Sequence, residues 1–408
     1  MRKLLIVNIW AKPVSKIINV FMMDITVAGK TSGVIRVMDS IYEGLADRDD
    51  VKLHLIRIVN GCPGLSFRRI SEDQFVIECD NHSILNEPDF IWKCIMPMFA
   101  GKENIVLDLN TLNLIYLAKF IQMRTGAKIL SRLHCIAYQQ INPADIYKFR
   151  ETGGIPPVKF IHDNFPHELD SYLKSDKVVC VAQSGADYVR ALDLGVSPIV
   201  VNNAVEDWFE KRDFSKDKSE FTAVFVGQPT VKFKAAPFAL EALEKANATG
   251  RKIKLIIIGF ASEPMRKEIA DKYPGVRVEF TGNIPQEKVY ELFEHADFGL
   301  IPSVTEQTNI TILEMLMMGL PIIANGVLTL SETLNDESAL LVPWELDKEY
   351  GLKPDTDKFA KMIIRLADSP GLRRKMSCAG RKLYLKKYTL DKMLKSCGAA
   401  WKELYSVK

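Results

Sequence analysis

One stretch in the second half of the chain decides the fold: Pro302-Ser-Val-Thr-Glu-Gln-Thr-Asn-Ile-Thr-Ile-Leu-Glu-Met-Leu-Met-Met-Gly-Leu-Pro321. It follows a short apolar run, Phe298–Ile301, that is typical of a strand buried on both faces. Asn309 is a favourable N-cap residue, Gly319 is a favourable residue just past a helix end, and Pro321 cannot continue a helix. The stretch therefore predicts a loop and then a helix that begins at Asn309 and ends just before Gly319.

Two carboxylates bracket the start of this predicted helix. Glu306 lies in the loop, and Glu314 lies on the helix, ~7 Å along the axis from Asn309 at ~1.5 Å per residue. The free amides of a first helical turn, together with the helix dipole, can bind an anion. The arrangement suits a sugar nucleotide, because the amides would hold the diphosphate while the carboxylates accept hydroxyls of the sugar and the ribose.

The alternative is that Glu306 is a solvated loop residue and Glu314 a solvated helix residue. Glu314, however, stands in a run of apolar residues, which comprises Ile312, Leu313, Met315, Leu316, Met317 and Met318. A carboxylate in so apolar a helix should be paired or bound to a ligand.

Apolar, β-rich runs alternate with helical patterns along most of the chain, which predicts an α/β fold built from βαβ units. The predicted strands of the first half are Leu4–Ile9, Val51–Val59, Asn104–Leu109, Lys128–Cys135, Lys177–Val181 and Pro198–Val201. Those of the second half are Phe221–Val226, Lys252–Ile258, Val276–Phe280, Phe298–Ile301, Pro321–Ala324 and Ala339–Val342. The polar stretch 206–220 carries ten charges and predicts a boundary between two doubly wound domains, with ligands outside the carboxyl ends of the strands.

Composition excludes several classes of protein. With 54 Lys and Arg against 51 Asp and Glu, the net charge is +3 and gives no argument for nucleic-acid binding. None of the seven cysteines forms a CxxC pair, so reduced thiols in a cytoplasmic protein are expected. No run approaches the ~20 apolar residues of a membrane-spanning helix.

The tail 371–408 carries 11 Lys or Arg against two acidic residues. It is either a docked terminal helix with a solvated basic face or a peripheral membrane contact.

The stretch around Glu306 and Glu314 resembles a known signature. Pro302-Ser303, Glu306 and Glu314 stand where retaining glycosyltransferases of family 4, which have the GT-B fold, carry a PS-x-x-E loop and a Glu-x7-Glu motif. Further similar segments lie along nearly the whole chain, namely 179–184, 203–206, 255–259, 276–282 and 295–297. The resemblance implies a first Rossmann-like, acceptor-side domain (1–205), a second that binds a nucleotide sugar (206–380), and a basic C-terminal helix (381–408) that packs back on the first.

The resemblance also assigns donor-binding roles in the second domain. It implies that Lys234 and the amides near the helix start bind the diphosphate, that Glu306 orients the sugar, and that Glu314 anchors the ribose. Gln228 stands where an arginine is usual, and Lys232 could supply the second positive charge instead. The further residues implied at the donor site are Thr308, Asn309, Ile310, Thr311 and, beside the nucleobase, Asn283.

In the first domain, the resemblance places Gly33 in a glycine-bearing loop beside the donor, and Arg36 one turn into the following helix could face the cleft. It also implies that His134, near the end of the predicted strand Lys128–Cys135, touches the transferred sugar. His162 and His167 have no acidic or cysteine partner at ligand spacing, so no metal site is predicted. Asp355-Thr-Asp357 is explained by helix capping.

The resemblance implies a retaining hexosyltransferase that needs no metal or cofactor, and the unpaired cysteines favour a cytoplasmic location. Its partners would be a nucleoside diphosphate sugar and a glycan or lipid-linked acceptor, such as a cell-envelope polysaccharide. This sequence departs from the family pattern at Gln228, Asn309 and Leu328-Thr329. These departures favour a second hypothesis, in which the protein is a non-catalytic nucleotide-sugar-binding partner of another transferase. A third hypothesis is a GT-B epimerase or phosphorylase.

Overall fold

The computed structural model describes residues 17–28, 33–46, 48–209 and 220–406. An eight-stranded sheet lies in the first half of the chain, with the strand order β3-β4-β2-β1-β5-β6-β7-β8. Its strands are β1 (Ile18–Val27), β2 (Val51–Asn60), β3 (Ser66–Arg69), β4 (Gln74–Cys79), β5 (Ile105–Leu109), β6 (Lys128–Leu133), β7 (Lys177–Cys180) and β8 (Ile199–Val200). Neighbouring strands are parallel except for the edge pair β3 and β4.

A six-stranded, wholly parallel sheet lies in the second half, with the order β11-β10-β9-β12-β13-β14. Its strands are β9 (Phe221–Val226), β10 (Ile253–Ile258), β11 (Val278–Gly282), β12 (Phe298–Ile301), β13 (Ile322–Asn325) and β14 (Ala339–Val342), and an antiparallel hairpin of β15 (Trp344–Asp347) and β16 (Gly351–Pro354) follows. The α/β class with two doubly wound domains is thus confirmed. The predicted boundaries after residues 205 and 380 stay predictions.

Helices cover both faces of each sheet, which explains why the central strands are apolar on both sides. Those of the first half are α1 (Gly33–Gly44), α2 (Pro88–Ile95), α3 (Ile115–Thr125), α4 (Ala137–Ile141), α5 (Ala144–Lys148), α6 (Val158–Asn164), α7 (Pro166–Lys174) and α8 (Gln183–Ala191). Those of the second half are α9 (Ala236–Asn247), α10 (Glu263–Lys272), α11 (Gln286–His295), α12 (Ile310–Met317), α13 (Leu328–Thr333), α14 (Thr356–Asp368), α15 (Pro370–Lys387) and α16 (Leu390–Glu403).

The first described strand is not one that the sequence pattern predicted. The predicted strand Leu4–Ile9 lies outside the described residues, and β1 lies at Ile18–Val27 instead. The apolar pattern of β1 is interrupted by Asn19 and Asp24, which are buried and have polar partners. Asp24 accepts hydrogen bonds from Arg57 at 3.0 and 3.2 Å, and its pKa is raised to about 6 by burial, against the opposing effect of Arg57.

Strand order reverses at β1/β5 in the first sheet and at β9/β12 in the second. A doubly wound sheet opens a crevice at such a point, outside the carboxyl ends of its strands. Gly33 is the first residue of α1, the helix after β1, and His134, Lys234 and Glu306 lie in the segments that follow β6, β9 and β12 respectively. The fold therefore brings residues from both domains to one cleft.

Contacts across the cleft hold the two domains face to face. Thr305 donates to the side chain of Gln139 at 2.9 Å, and Thr308 donates to the carbonyl of Val181 at 2.8 Å. Glu332 accepts a hydrogen bond from the amide of Ser184, in the first turn of α8, at 2.9 Å. Each contact joins a second-domain loop or helix to the first domain.

The C-terminal helix α16 packs back on the first sheet, as the sequence predicts. Trp401 is fully buried and donates its indole N–H to Asp108 at 2.8 Å. The apolar face of α16 is thus covered by protein. On its outer face, Lys395 pairs with Asp391 and Lys402 pairs with Asp50. Within the described residues, no helix combines the length and the apolar character that crossing a membrane requires.

Candidate functional site

A cavity of about 240 Å³ lies between the two domains, where the start of α1 meets the segments that follow β6, β9 and β12. The first domain lines it with Gly33, Val34, Arg36, His134, Cys135, Gln140 and Asn203. The second domain lines it with Lys234, Glu306, Gln307, Thr308, Asn309, Ile310 and Thr311. Eight of the twelve predicted site residues therefore share one cavity: Gly33, His134, Lys234, Glu306, Thr308, Asn309, Ile310 and Thr311. Gln228, Lys232, Asn283 and Glu314 are not among its lining residues.

Glu306 is held between a cation and an amide. The Nζ of Lys234 lies 2.5 Å from its Oε1, and the side-chain amide of Asn309 donates to the same oxygen at 3.1 Å. The Glu306 side chain is 7% exposed and the Lys234 side chain 20% exposed. A carboxylate and an ammonium are therefore presented together, at the carboxyl ends of β12 and β9.

The start of α12 is capped as its sequence predicts. The side chain of Asn309 accepts a hydrogen bond from the amide of Thr311 at 3.0 Å, and the helix runs over Ile310–Met317, one residue shorter at each end than predicted. Gly33 of the first domain lies directly above this helix start, because a Cβ at that position would come 3.0 Å from Cγ1 of Ile310. A residue without a side chain is therefore needed for the two domains to approach this closely.

Glu314 is buried on α12 but is not unpartnered. It forms an ion pair with Arg36 of α1, across the cleft, and it accepts a hydrogen bond from Gln286 at 3.0 Å. Burial raises the pKa of the Glu314 carboxyl, and the charge of Arg36 opposes that rise. The expectation that a carboxylate in this apolar helix is paired is confirmed; its partner Arg36 comes from the other domain.

His134 follows β6 and is held by a chain of polar residues. Its Nε2 lies 3.1 Å from Oδ1 of Asn110. The Asn110 amide nitrogen faces the oxygens of Asp108 at 3.3 and 3.4 Å, and Asp108 is in turn paired with Arg132 at 2.7 Å. Because Asp108 only accepts hydrogen bonds there, Asn110 presents its oxygen to the histidine, and His134 carries its proton on Nε2.

The charge state of His134 follows from the same surroundings. Burial, together with the nearby charge of Arg132, lowers the pKa of His134 to about 3. The imidazole is therefore neutral at physiological pH, with an unprotonated Nδ1. Beside it, burial raises the pKa of the Cys135 thiol to about 12, so this cysteine is not a thiolate nucleophile.

Three predicted donor-binding residues lie elsewhere. Gln228 and Asn283 are exposed at the carboxyl ends of β9 and β11. The ammonium of Lys232 lies 5.5 Å from the ring centroid of Tyr350, on the hairpin. Their predicted roles therefore depend on contacts that a bound ligand would make.

The residues set aside as non-catalytic lie away from the cavity. His162 is exposed and contacts Asp163, His167 packs against Tyr116, and Asp355 caps α14. The described residues contain no cluster of three or more His, Cys, Asp or Glu side chains that could hold a metal ion.

Sequence reasoning did not assign roles to Gln286 and Asn110. Gln286 is the first residue of α11, and its only sequence signal is a polar residue at a helix start. Asn110 follows β5 at the switch point, where a polar residue after a buried strand is the signal that could have identified it.

Comparison with known proteins agrees with this geometry. Residues 220–369 match the family model described as glycosyl transferases group 1. An uncharacterised glycosyltransferase of Methanocaldococcus jannaschii is 27% identical over 331 residues, which cover 76% of this chain and 80% of that protein.

Solved structures resemble nearly the whole chain. Sucrose-phosphate synthase from Thermosynechococcus elongatus has a TM-score of 0.72 at 14% identity, covering 95% of this chain and 99% of that one. HepE from Anabaena, in complex with UDP and glucose, has a TM-score of 0.67 at 12% identity, covering 95% and 100%. A glycosyltransferase from Rickettsia africae has a TM-score of 0.67 at 17% identity, covering 96% and 100%. The fold of this chain is GT-B, and the matches together support a GT-B glycosyltransferase.

Proposed function

We propose that this protein transfers a hexose from a nucleoside diphosphate sugar to a hydroxyl of a glycan or lipid-linked acceptor, with retention of the anomeric configuration. The observation that carries the proposal is the Glu306–Lys234 pair at the capped start of α12, with His134 lining the same interdomain cavity. The family match over the second domain and the UDP and glucose bound to HepE support a nucleotide-sugar donor.

The donor's charged part suits the second-domain side of the cavity. The diphosphate would meet Lys234 and the N-terminal end of α12, where the helix dipole favours an anion. The Thr311 amide there already donates to the Asn309 side chain, and those of Ile312 and Leu313 to the Asn309 carbonyl. The buried Glu314 carboxylate would accept the ribose hydroxyls beside Gln286. With the donor bound, Lys234 and the dipole of α12 would stabilise the negative charge of the leaving diphosphate.

The sugar would lie between Glu306 and His134. Glu306 accepts sugar hydroxyls, and the neutral His134 offers its unprotonated Nδ1 to another hydroxyl. In the transfer step, the bond between the anomeric carbon and the diphosphate oxygen breaks while the acceptor oxygen bonds to that carbon from the same face. The acceptor proton passes to the leaving diphosphate, and Cys135, as a neutral thiol, takes no part.

The acceptor would enter from a second interdomain cavity of about 300 Å³. Gln307 lines both cavities, and its Oε1 is buried and makes no hydrogen bond. The second cavity combines apolar side chains such as Ile136, Ile155 and Leu352 with the polar groups of Ser184 and Gln307. This cavity therefore suits an acceptor molecule that presents a hydroxyl group next to an apolar surface, either the face of a sugar ring or a hydrocarbon chain.

We further propose a cytoplasmic location, where the seven free cysteines would stay reduced. The lysines and arginines of the tail 371–408 are the groups through which peripheral contact with an anionic membrane would occur.

A non-catalytic nucleotide-sugar-binding partner is the second candidate function. It is favoured by the exposed Gln228 and by Leu328, which is also exposed and stands where the family pattern has a glycine.

Release of nucleotide from UDP-, GDP- and ADP-sugars, with acceptor glycans and in the presence of EDTA, tests the proposed transferase activity. We expect metal-independent release with one donor, a retained product anomer, and loss of activity in Glu306→Gln.

The matched control is Glu291→Gln, an exposed glutamate on α11 that pairs with Lys288. It should keep the wild-type rate. Wild-type activity in Glu306→Gln would contradict the assigned role. Donor binding with no release for any acceptor would favour the non-catalytic partner, and release with sugar isomerisation in the absence of acceptor would favour an epimerase.

A further inference from the structure

We propose that Arg36, on the first domain, is a second diphosphate-binding cation, and that it reaches the donor by exchanging its partner Glu314 for phosphate oxygens. This inference rests on the proposed function, because it concerns the same donor. It assigns a ligand-binding role to a first-domain residue.

Two ion pairs of the same kind lie at the cavity: Lys234, Glu306 and Arg36 line it, and Glu314 lines a neighbouring cavity that Arg36 also lines. Lys234 pairs with Glu306 within the second domain, and Arg36 of α1 pairs with Glu314 of α12 across the cleft. The four formal charges of these pairs sum to zero. Among the described residues that line the cavity, Lys234 and Arg36 are the cationic side chains, since His134 is neutral.

A nucleoside diphosphate sugar is complementary to these pairs after a change of partners. Its diphosphate is anionic, and the sugar and the ribose on either side of it carry neutral hydroxyls. Both cations can therefore turn to phosphate while both carboxylates accept hydroxyls. A guanidinium is well suited to this because it binds phosphate with two parallel hydrogen bonds.

Arg36 has room for the exchange. Its side chain is 34% exposed, whereas that of Glu314 is 2% exposed. Arg36 also lines a neighbouring cavity of about 210 Å³ on the side of Trp208 and Tyr290. The arginine is thus the mobile partner of the pair, and the carboxylate is fixed in the apolar helix.

The exchange couples the two ends of the nucleotide. When Arg36 leaves, Glu314 keeps its hydrogen bond from Gln286 but loses its counter-charge, which is costly for a buried carboxylate. Ribose hydroxyls arriving with the same ligand compensate that loss. The site should therefore favour an intact nucleoside diphosphate over either half, because inorganic pyrophosphate offers no hydroxyls and a nucleoside offers no charge.

The other lysine near this edge does not take the place of Arg36 in the structure. Lys232 is exposed and lies against the ring of Tyr350, so it does not line the cavity. The variant Lys232→Gln therefore tests the alternative that Lys232, and not Arg36, is the second diphosphate-binding cation.

Calorimetric titration of the full chain with UDP, or with GDP or ADP if UDP does not bind, and with the matching nucleoside tests the inference. Arg36→Gln keeps a hydrogen-bond donor for Glu314 but removes the charge. We expect it to weaken diphosphate-nucleotide binding at least tenfold and nucleoside binding less than twofold. Arg36→Lys, which keeps the charge without the planar fork, should lie between wild type and Arg36→Gln.

Arg124→Gln is the matched control, because that side chain is 35% exposed and pairs with Asp89 far from the cavity. It should bind as the wild type does. Equal losses of nucleotide and nucleoside affinity in Arg36→Gln would overturn the inference in favour of a residue that only holds Glu314. Unchanged nucleotide affinity, or a loss in Lys232→Gln alone, would overturn it and leave the proposed function standing. Failure of the wild type to bind any of the three nucleotides would overturn both.

Discussion

Replacing Lys234 alone should destabilise the protein more than replacing Lys234 and Glu306 together. The two side chains are 20% and 7% exposed and lie 2.5 Å apart. Removing one partner of a buried ion pair leaves an uncompensated charge and costs ~3–5 kcal/mol, whereas neutralising both is often close to neutral. Because Lys234 is partly exposed and Asn309 still donates to Glu306, we expect a smaller loss, about 2 kcal/mol, for Lys234→Met.

Thermal unfolding at pH 7 and low salt measures this effect. For a domain of this size, 2 kcal/mol corresponds to a fall in Tm of about 4–8 °C. The double variant Lys234→Met with Glu306→Gln should unfold within about 2 °C of the wild type, and should nevertheless neither bind nor turn over the donor. Such a result would show that the pair is kept for its chemistry and not for stability.

The exposed pair Lys288–Glu291, at 2.7 Å with side chains 61% and 55% exposed, is the control. The same substitutions there should show a coupling of less than about 1 kcal/mol. Additive losses at Lys234 and Glu306, with the double variant less stable than either single one, would refute the reasoning.

Further expectations follow from the neighbouring residues. His134→Asn should reduce the loss of stability on acidification. Because the pKa of His134 in the folded protein, about 3, lies below its ordinary value, the wild type loses stability as the pH falls from about 6.5 towards 3. Thermal unfolding of the wild type and the variant at pH 7 and pH 4.5 measures the difference. Trp401→Phe removes a hydrogen bond to the buried Asp108 and should lower the free energy of unfolding by about 2 kcal/mol in a denaturant titration. Gly33→Val should weaken donor binding at least tenfold in calorimetry with little change in Tm, because its side chain would collide with Ile310 at the rim of the cavity.

Most of the second domain could be predicted from the sequence. Its parallel strands are short and apolar, and the helices between them carry clear start and stop signals, so Phe221–Val226, Phe298–Ile301 and Ala339–Val342 have the predicted bounds. The hairpin β15 and β16 was not predicted, because each strand has only four residues: Trp344–Asp347 alternates apolar and polar residues over too short a run, and Gly351–Pro354 begins with glycine and ends with proline.

The first domain was harder to predict for a physical reason. Strand β1 contains the buried polar residues Asn19 and Asp24, whose partners His54 and Arg57 lie on the neighbouring strand β2. Pairing between strands that are distant in sequence satisfies polar groups that a local pattern counts as breaks. The short strands β3 and β4 lie at the sheet edge, where one face is solvated.

Contacts of the candidate site between residues close in sequence could be predicted, whereas contacts between the two domains across the cleft could not. Glu306 and Asn309 are three residues apart on one loop, so their contact follows from local geometry. Arg36 and Glu314 are 278 positions apart, and only the facing of the two domains joins them. Sequence-spacing patterns, which relate residues a few positions apart, cannot predict such a contact.

Calorimetric titration of the wild type with UDP, GDP and ADP, each with and without Mg²⁺, tests the central claim most directly. The account predicts binding of one nucleotide, unchanged by the metal and lost in Glu314→Ala, since the ribose would lose its buried carboxylate. Absence of binding by all three nucleotides would contradict the assignment of this cavity to a nucleoside diphosphate sugar.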